Sequence, residues 1–346
     1  MIVNAAPCTP QSAEAPATFP LTVVGYQETT CAPPAPVPRW RLRPLYAPSF
    51  ILTAITAWLA WEGAMALRRI GDLGSATAAA RYQLVGPAVI GFVVLVLACE
   101  RIWPAERRRA LARGHVLDAC YFALFAAAVV PFVNLLSVAS AFLLHEHVAW
   151  LDARWTATWP RWLVVAVALI AMDGCNWLTH LADHRFAPLW RVHAVHHSQE
   201  ELSVLTTFRT HPLVHTLSFA VATLPVFALT GDHPVAPVLI TVYLCLGAFP
   251  HANVPWSFGP LGRIFVSPAY HRIHHAVDGP YDVNLGIVLT VWDVLARRAV
   301  WPQRRTPACK TGLAGRPLVV EQGVGPLRPV RVIAHQLVEP FARTAR

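Results

Sequence analysis

An all-α fold, a polytopic helical membrane protein carrying a histidine cage on its cytoplasmic side, is predicted by three observations on this 346-residue chain. Apolar residues make up 55% of it and charged residues only 14%, with a mean hydropathy of +0.45; soluble domains carry about 25% charged residues. Six apolar stretches approach the roughly 20 residues that a helix needs to cross a bilayer. The 16 histidines gather in groups at helical spacing instead of being scattered.

The formal net charge is +9. A basic excess fits either nucleic acid or an anionic membrane surface. Here the arginines cluster at the ends of apolar runs and no RNA- or DNA-binding motif occurs, so the membrane is the expected partner and nucleic acid is not. None of the seven cysteines forms a CxxC pair, and Cys120, Cys175 and Cys245 fall within apolar runs. They read as reduced packing thiols, which excludes a disulfide framework and a thiolate zinc site.

Residues 1–47 are rich in proline and poor in apolar period, and they read as a disordered tail ending in Arg39, Arg41 and Arg43. Such a segment cannot bury enough surface to offset its ordering entropy. Residues 48–302 form the expected transmembrane and histidine-box domain, and residues 303–346 a cytoplasmic C-terminal extension. The apolar stretches run at about 48–67, 82–99, 115–144, 160–182, 213–230 and 234–255. Pro131 predicts a kink or break in the third. The short Gly231-Asp232-His233 link makes the last two a helical hairpin. Trp155, Trp159 and Trp162 flank the start of the fourth, where an interfacial anchor belongs.

Charge sets the orientation. The link between the second and third stretches holds Arg101, Arg107, Arg108, Arg109 and Arg113, against Arg68, Arg69 and Arg81 between the first and second. The positive-inside rule places the richer link in the cytoplasm. Counting from there, residues 183–212, everything after 255 and the N-terminal tail are cytoplasmic. A multi-pass protein of a bacterial inner membrane is expected, with its site facing the cytoplasm.

The histidine groups are His180-Leu-Ala-Asp-His184, His193-Ala-Val-His196-His197 and His271-Arg-Ile-His274-His275, with a looser His211-Pro-Leu-Val-His215 and the single His251. Residues three and four apart share one helix face, so each compact group presents its imidazoles together. A single metal needs three or four protein ligands, and the three compact groups supply more than that. The orientation puts His180, His184, His193, His196, His197, His251, His271, His274 and His275 on one side of the membrane at one depth. His115, His145, His147, His233 and His335 read as polar residues at helix ends.

Two polar residues accompany the first group. Asp173 lies on the stripe of His180 and His184 to within about 20°, at 100° per residue, and an acidic residue inside an apolar span is usually functional. It is expected to accept the far N–H of a ligand histidine and fix its tautomer; the simpler reading is an interhelical polar contact. Asn176, one turn before His180, is expected to do similar work.

These residues resemble a known family. Leu189-Trp-Arg-Val-His193-Ala-Val-His196-His197-Ser198 is similar to the second histidine box of the fatty acid hydroxylase and sterol desaturase superfamily. His180–His184 resembles its HxxxH box, His271–His275 its last HxxHH box, and Phe208-Arg-Thr-His-Pro-Leu213 its RxHP segment. Asn284 to Trp292-Asp293 resembles the segment that follows the last box, and Asn284 joins the candidate site on that ground, a turn residue being the plainer reading. The resemblance spans about 85–302. It implies two iron ions held by the eight box histidines, with His251 as a ninth ligand. It further implies O2 chemistry on a lipid (sterol, fatty acyl, alkylglycerol or carotenoid) by hydroxylation or desaturation. Electrons would come from an external redox partner, a reductase or a cytochrome b5-like protein.

Two other functions compete with this one. A metal transporter strings its ligands along the spans as a path, whereas these gather at one face. A zinc-dependent membrane hydrolase of the usual kind needs an HExxH motif, and none occurs.

Overall fold

The computed structural model describes residues 87–107, 114–129, 156–230, 235–302, 309–313 and 328–341. The tail, the first apolar stretch, Pro131 with the far part of the third stretch, and the Gly231–His233 link lie outside them. Among the described residues the chain is helical, and extended pairing is limited to isolated bridges at Phe265–Leu289 and Ala276–Thr311.

The helices follow the apolar pattern. Helix α1 is Pro87–Ile102, α2 is His115–Leu124 and runs into a wider turn at Phe125–Val129, and α3 is Arg161–Arg185. After α4 (Ala187–His197) come α5 (Pro212–Thr230) and α6 (Val235–Ala248). Short α7 (Pro268–His274) and α8 (Val291–Leu295) precede α9 (Arg328–Val338). Among the described residues α3 alone is both long and apolar enough to cross a membrane; the apolar stretches at His115–Val129 and Pro212–Ala222 are shorter.

Local chemistry sets the corners that matter. The C-cap residue of α3, Phe186, is extended, and its N–H closes the helix on the Ala182 carbonyl. Pro188 in the first turn of α4 costs no hydrogen bond there. The chain therefore turns at once, and α4 lies against the end of α3. Ser203 and Thr206 form a reciprocal cap on the short helix Val204–Phe208. Ser267 caps α7, with Pro268 at its first position, and so fixes where the last histidine group begins.

Helix α3 packs chiefly on α5. Ala168 and Met172 of α3, Ala222 and Leu229 of α5 and Tyr243 of α6 form a core that also takes in Ile287 and Val288 from the distant C-terminal loop. A second core joins α1 and α2 to the Val204–Phe208 turn through Val93, Val96, Phe122, Phe125 and Phe208. Contacts of α3 with α4, and of α7 with the turn Phe249–His251, close one polar interior.

Buried polar contacts lock that interior. Arg209 donates through Nε to Asp118 on α2 and through Nη2 to the Gly114 carbonyl, while Gln199 donates to the other Asp118 oxygen at 2.7 Å. Gly114 has φ of 84°, and a Cβ there would collide with the Arg209 guanidinium. The position needs glycine for both reasons.

Candidate metal centre

The nine histidines selected from sequence come together. His180, His184, His193, His197 and His274 form one group, and His196, His251, His271 and His275 a second; within each, the ligand atoms lie within 4.8 Å of one another. Rings of the two groups touch, with His197 stacked on His275 at 4.4 Å between centroids. Helix α3 supplies two of the histidines, α4 three and α7 with its C-cap three, while His251 comes from the turn after α6.

The far nitrogens explain the ring orientations. His180 Nδ1 lies 2.8 Å from the Leu285 carbonyl, and His274 Nδ1 lies 2.9 Å from that of Val283. His196 Nδ1 lies 3.3 Å from the Arg209 carbonyl. His184 Nδ1 sits 3.2 Å from an Asp282 oxygen. Since a carbonyl only accepts, each such Nδ1 carries the hydrogen, and the lone pair is left on the inward Nε2. His251 is held likewise. Its Nδ1 is 2.9 Å from the Thr207 hydroxyl, which sends its own hydrogen to the Ala248 carbonyl.

The interior is consequently rich in unshared lone pairs. The Nε2 atoms of His180, His184, His193, His197 and His274 are buried without a hydrogen-bond partner. In the second group His251 Nε2 stands 3.0 Å from Nε2 of both His196 and His271. For His196 and His251 no hydrogen lies between the facing nitrogens. Two imidazoles on one metal, at about 2.1 Å and roughly 90° apart, stand about 3.0 Å from each other. A cation fits this donor set; burial of so many lone pairs without a partner is costly.

Burial first, and neighbouring imidazoles after it, push His193, His196, His197, His271, His274 and His275 well below their ordinary value of 6.5. They stay neutral, as metal ligands must. The linkage has a definite sign. Below pH 6.5 the unfolded chain takes up protons that the folded one refuses, so folding stability is full above that value and falls as the medium is acidified. Chelator-treated protein melted at a series of pH values should show a lower melting temperature at pH 5.5 than at 7.5. An unchanged melting temperature would contradict the neutral cage.

The accompanying polar residues sit differently from expectation. Asp173 takes no histidine N–H. Its two oxygens accept from the Tyr243 hydroxyl at 2.9 Å, the Val288 and Leu289 amides at 3.1 and 3.0 Å, and the Trp292 indole at 2.8 Å. Angular alignment with His180 did not allow for depth: seven residues along a helix is about 10 Å, beyond the reach of a carboxylate. Asn176 likewise donates to Tyr243, at 3.1 Å. Asn284 is a buried turn residue with φ of 55°, bonded to Tyr270 and Val300. The carbonyls on either side of it, those of Val283 and Leu285, receive His274 and His180, so it positions ligands without touching one. His211 lies outside the cage, with Nε2 3.2 Å from the Leu337 carbonyl of α9, and His215 packs on Phe125.

Sequence reasoning missed two carboxylates. Asp183 lies 3.7 Å from His193 Nδ1; an acid inside the first histidine group was the available signal. Asp293 is fully buried and accepts from Trp177, Tyr270 and the amides of Leu285 and Gly286.

A helical fold closed around such a cage defines a histidine-box protein, and comparison with known sequences agrees. The model of the fatty acid hydroxylase family matches residues 165–297. Ornithine lipid hydroxylase OlsE of Rhizobium tropici is 31% identical over 193 residues, covering 56% of this chain and 54% of that protein. The alkylglycerol monooxygenases of Danio rerio and Homo sapiens are 29% and 26% identical, over 43% and 47% of this chain and 32% and 35% of their own lengths. The chain thus spans about half of the first relative and about a third of the others. No solved structure matches it. The family match over residues 165–297 and these relatives support the fatty acid hydroxylase and sterol desaturase superfamily.

Proposed function

We propose that this protein is an integral membrane di-iron oxygenase that hydroxylates a membrane lipid with O2 and electrons from an external reductase or cytochrome b5-like donor. The observation that carries the reading is the interior of facing lone pairs, above all the 3.0 Å approach of His251 Nε2 to His196 and His271. The five-histidine group would hold one ion and the four-histidine group the other. Imidazole alone suits several metals; iron is assigned because the chemistry of the relatives' names is oxidative and zinc has no redox role. The iron centre would supply O2 activation. Hydroxylation is favoured over desaturation because the relatives are named hydroxylase and monooxygenase. The same names favour a polar-headed lipid with a long alkyl or acyl chain over a sterol or carotenoid.

The chain's own part is to hold the ligands rigid and dry. Carbonyls of Val283, Leu285 and Arg209 and the Thr207 hydroxyl fix the rings from outside. Charge patterning supports a multi-pass arrangement with the cage at the cytoplasmic face of an inner membrane, where a soluble electron donor can reach it and a lipid can arrive sideways from the bilayer.

Elemental analysis of detergent-purified protein expressed with ample iron tests this. About two irons per chain are expected, followed by O2-dependent gain of one oxygen in a lipid on adding a reductase. Two zincs, or no metal, would overturn the oxygenase reading.

A further inference from the structure

The C-terminal loop sits deeper than its place in the chain suggests. Asp173 is the central residue of the 25-residue helix α3, and by helical rise it lies about 10 Å below His180 along that helix. Yet it is Asp173 that receives the amides of Val288 and Leu289 and the indole of Trp292. Trp292 lies so close to the next residue of α3 that a Cβ on Gly174 would stand 3.0 Å from the ring. On the other side Ile287 meets Gly247 of α6, where a Cβ would stand 2.9 Å away. Residues 286–292 are wedged between two apolar helices at the mid-height of the longer one.

The outer face of this wedge is apolar and exposed. Val291, Val294 and Leu295 of α8 are uncovered, Leu295 to 72%. The segment 259–265 joins it through the Thr290 amide on the Ile264 carbonyl and the Thr290 hydroxyl on the Arg263 carbonyl. It adds Leu261, Ile264 and Phe265, exposed by 60%, 53% and 44%. In water a surface of this size costs about 25 cal/mol per Å² of apolar area.

We infer that segments 259–265 and 286–295 re-enter the membrane as a lipid-facing wedge beside α3, with the acyl chains of the bilayer as the occupant of their exposed face. The inference rests on the reading of α3 as a membrane span. Irregular backbone is tolerated at that depth only when its polar groups are satisfied inside the protein, and here five amides of the loop find acceptors inside it. Asp293 receives the Leu285 and Gly286 amides, Asp173 those of Val288 and Leu289, and Ile264 that of Thr290; the Val266 amide in turn goes to Val288. This gives the two buried carboxylates a shared purpose: they take the place of the helix or sheet partners the loop lacks. Arg263 obeys the same constraint. Its guanidinium folds over Trp301 at 4.4 Å, and that ring packs on Tyr270, next to His271. The charge is thereby drawn back toward the level of the cage, as long cations do near a bilayer.

The test uses the full chain in proteoliposomes of phosphatidylethanolamine and phosphatidylglycerol with deuterated acyl chains. The photo-crosslinking residue benzoylphenylalanine replaces Leu295, Leu261, Ile170 on the exposed side of α3, or Lys310 beside the polar surface of Glu200 and Thr311. Lipid adducts, read by mass, are expected at Leu295, Leu261 and Ile170, at least tenfold above Lys310. Adducts at Ile170 but none at Leu295 and Leu261, or adducts to protein there, would overturn the wedge and leave the span intact. Absence at all four positions would overturn the span reading and the wedge with it. Equal labelling at Lys310 would overturn the assignment of depth.

Discussion

Replacing His251 with alanine is expected to leave the protein folded with about one metal ion per chain instead of about two, and to reduce turnover by about a hundredfold or more. The expectation follows from its place. His251 touches both His196 and His271 through one nitrogen, at 3.0 Å each, so its loss opens the middle of the four-histidine group and leaves the five-histidine group whole. The substitution alone does not separate ligand loss from local collapse, because alanine also leaves a cavity. Thr207→Val does separate them. Valine matches threonine in shape but cannot accept the His251 Nδ1 hydrogen, so the ring stays while its orientation is released. Loss of such an outer partner typically weakens metal binding 10- to 100-fold. A chelator titration should therefore show one of two ions leaving early in Thr207→Val, with the melting temperature of the loaded protein little changed. Full metal content and activity in His251→Ala would remove His251 from the centre and reduce the second group to three histidines.

How far the site could be read from sequence depends on the range of each contact. The three compact groups were legible because helical spacing is local: His180 and His184, or His193, His196 and His197, share a face whatever surrounds them. Helix limits were legible for the same reason. The expected 160–182 and 213–230 are Arg161–Arg185 and Pro212–Thr230 in the structure. The last stretch, expected to run to 255, ends as an α-helix at Ala248 and tightens into the turn Phe249–His251. Pro250 sits in that turn, which brings His251 to His196 and His271. His251 itself could be chosen only through the orientation argument and the family resemblance, since nothing near it in sequence marks a ligand. What could not be read were partners more than a hundred residues apart, such as Leu285 for His180 and Trp292 for Asp173. The same blindness to depth placed Asp173 on a histidine and gave no sign that residues 286–292 pack at the mid-height of α3.

Asp293→Asn should have the largest effect of any single polar exchange outside the ligands. Its carboxylate accepts four bonds: Trp177 and the Leu285 amide on one oxygen, the Gly286 amide and Tyr270 on the other, all between 2.8 and 3.0 Å. An asparagine has one accepting oxygen and one donating nitrogen. Whichever way it turns, a backbone amide meets the donating end. The tyrosine hydroxyl can rotate to accept; an amide or an indole cannot. At least one buried donor is orphaned, at about 1–3 kcal/mol each, and two if the indole side is lost. The damage reaches the cage along two short paths. The Leu285 carbonyl holds His180, in the five-histidine group, and Tyr270 precedes His271, in the four-histidine group. Both ions should therefore be held more weakly, by about tenfold to a hundredfold, unlike the single loss expected for His251→Ala. Chelator titration and thermal melting of Asp293→Asn beside the exposed Asp278→Asn would measure it. If the two variants behaved alike, Asp293 would be a passenger in the loop and the cage would owe its geometry to the helices alone. If only Asp293→Asn lost both ions together, the loop between Leu285 and Asp293 would be part of the centre's frame as much as α3, α4 and α7.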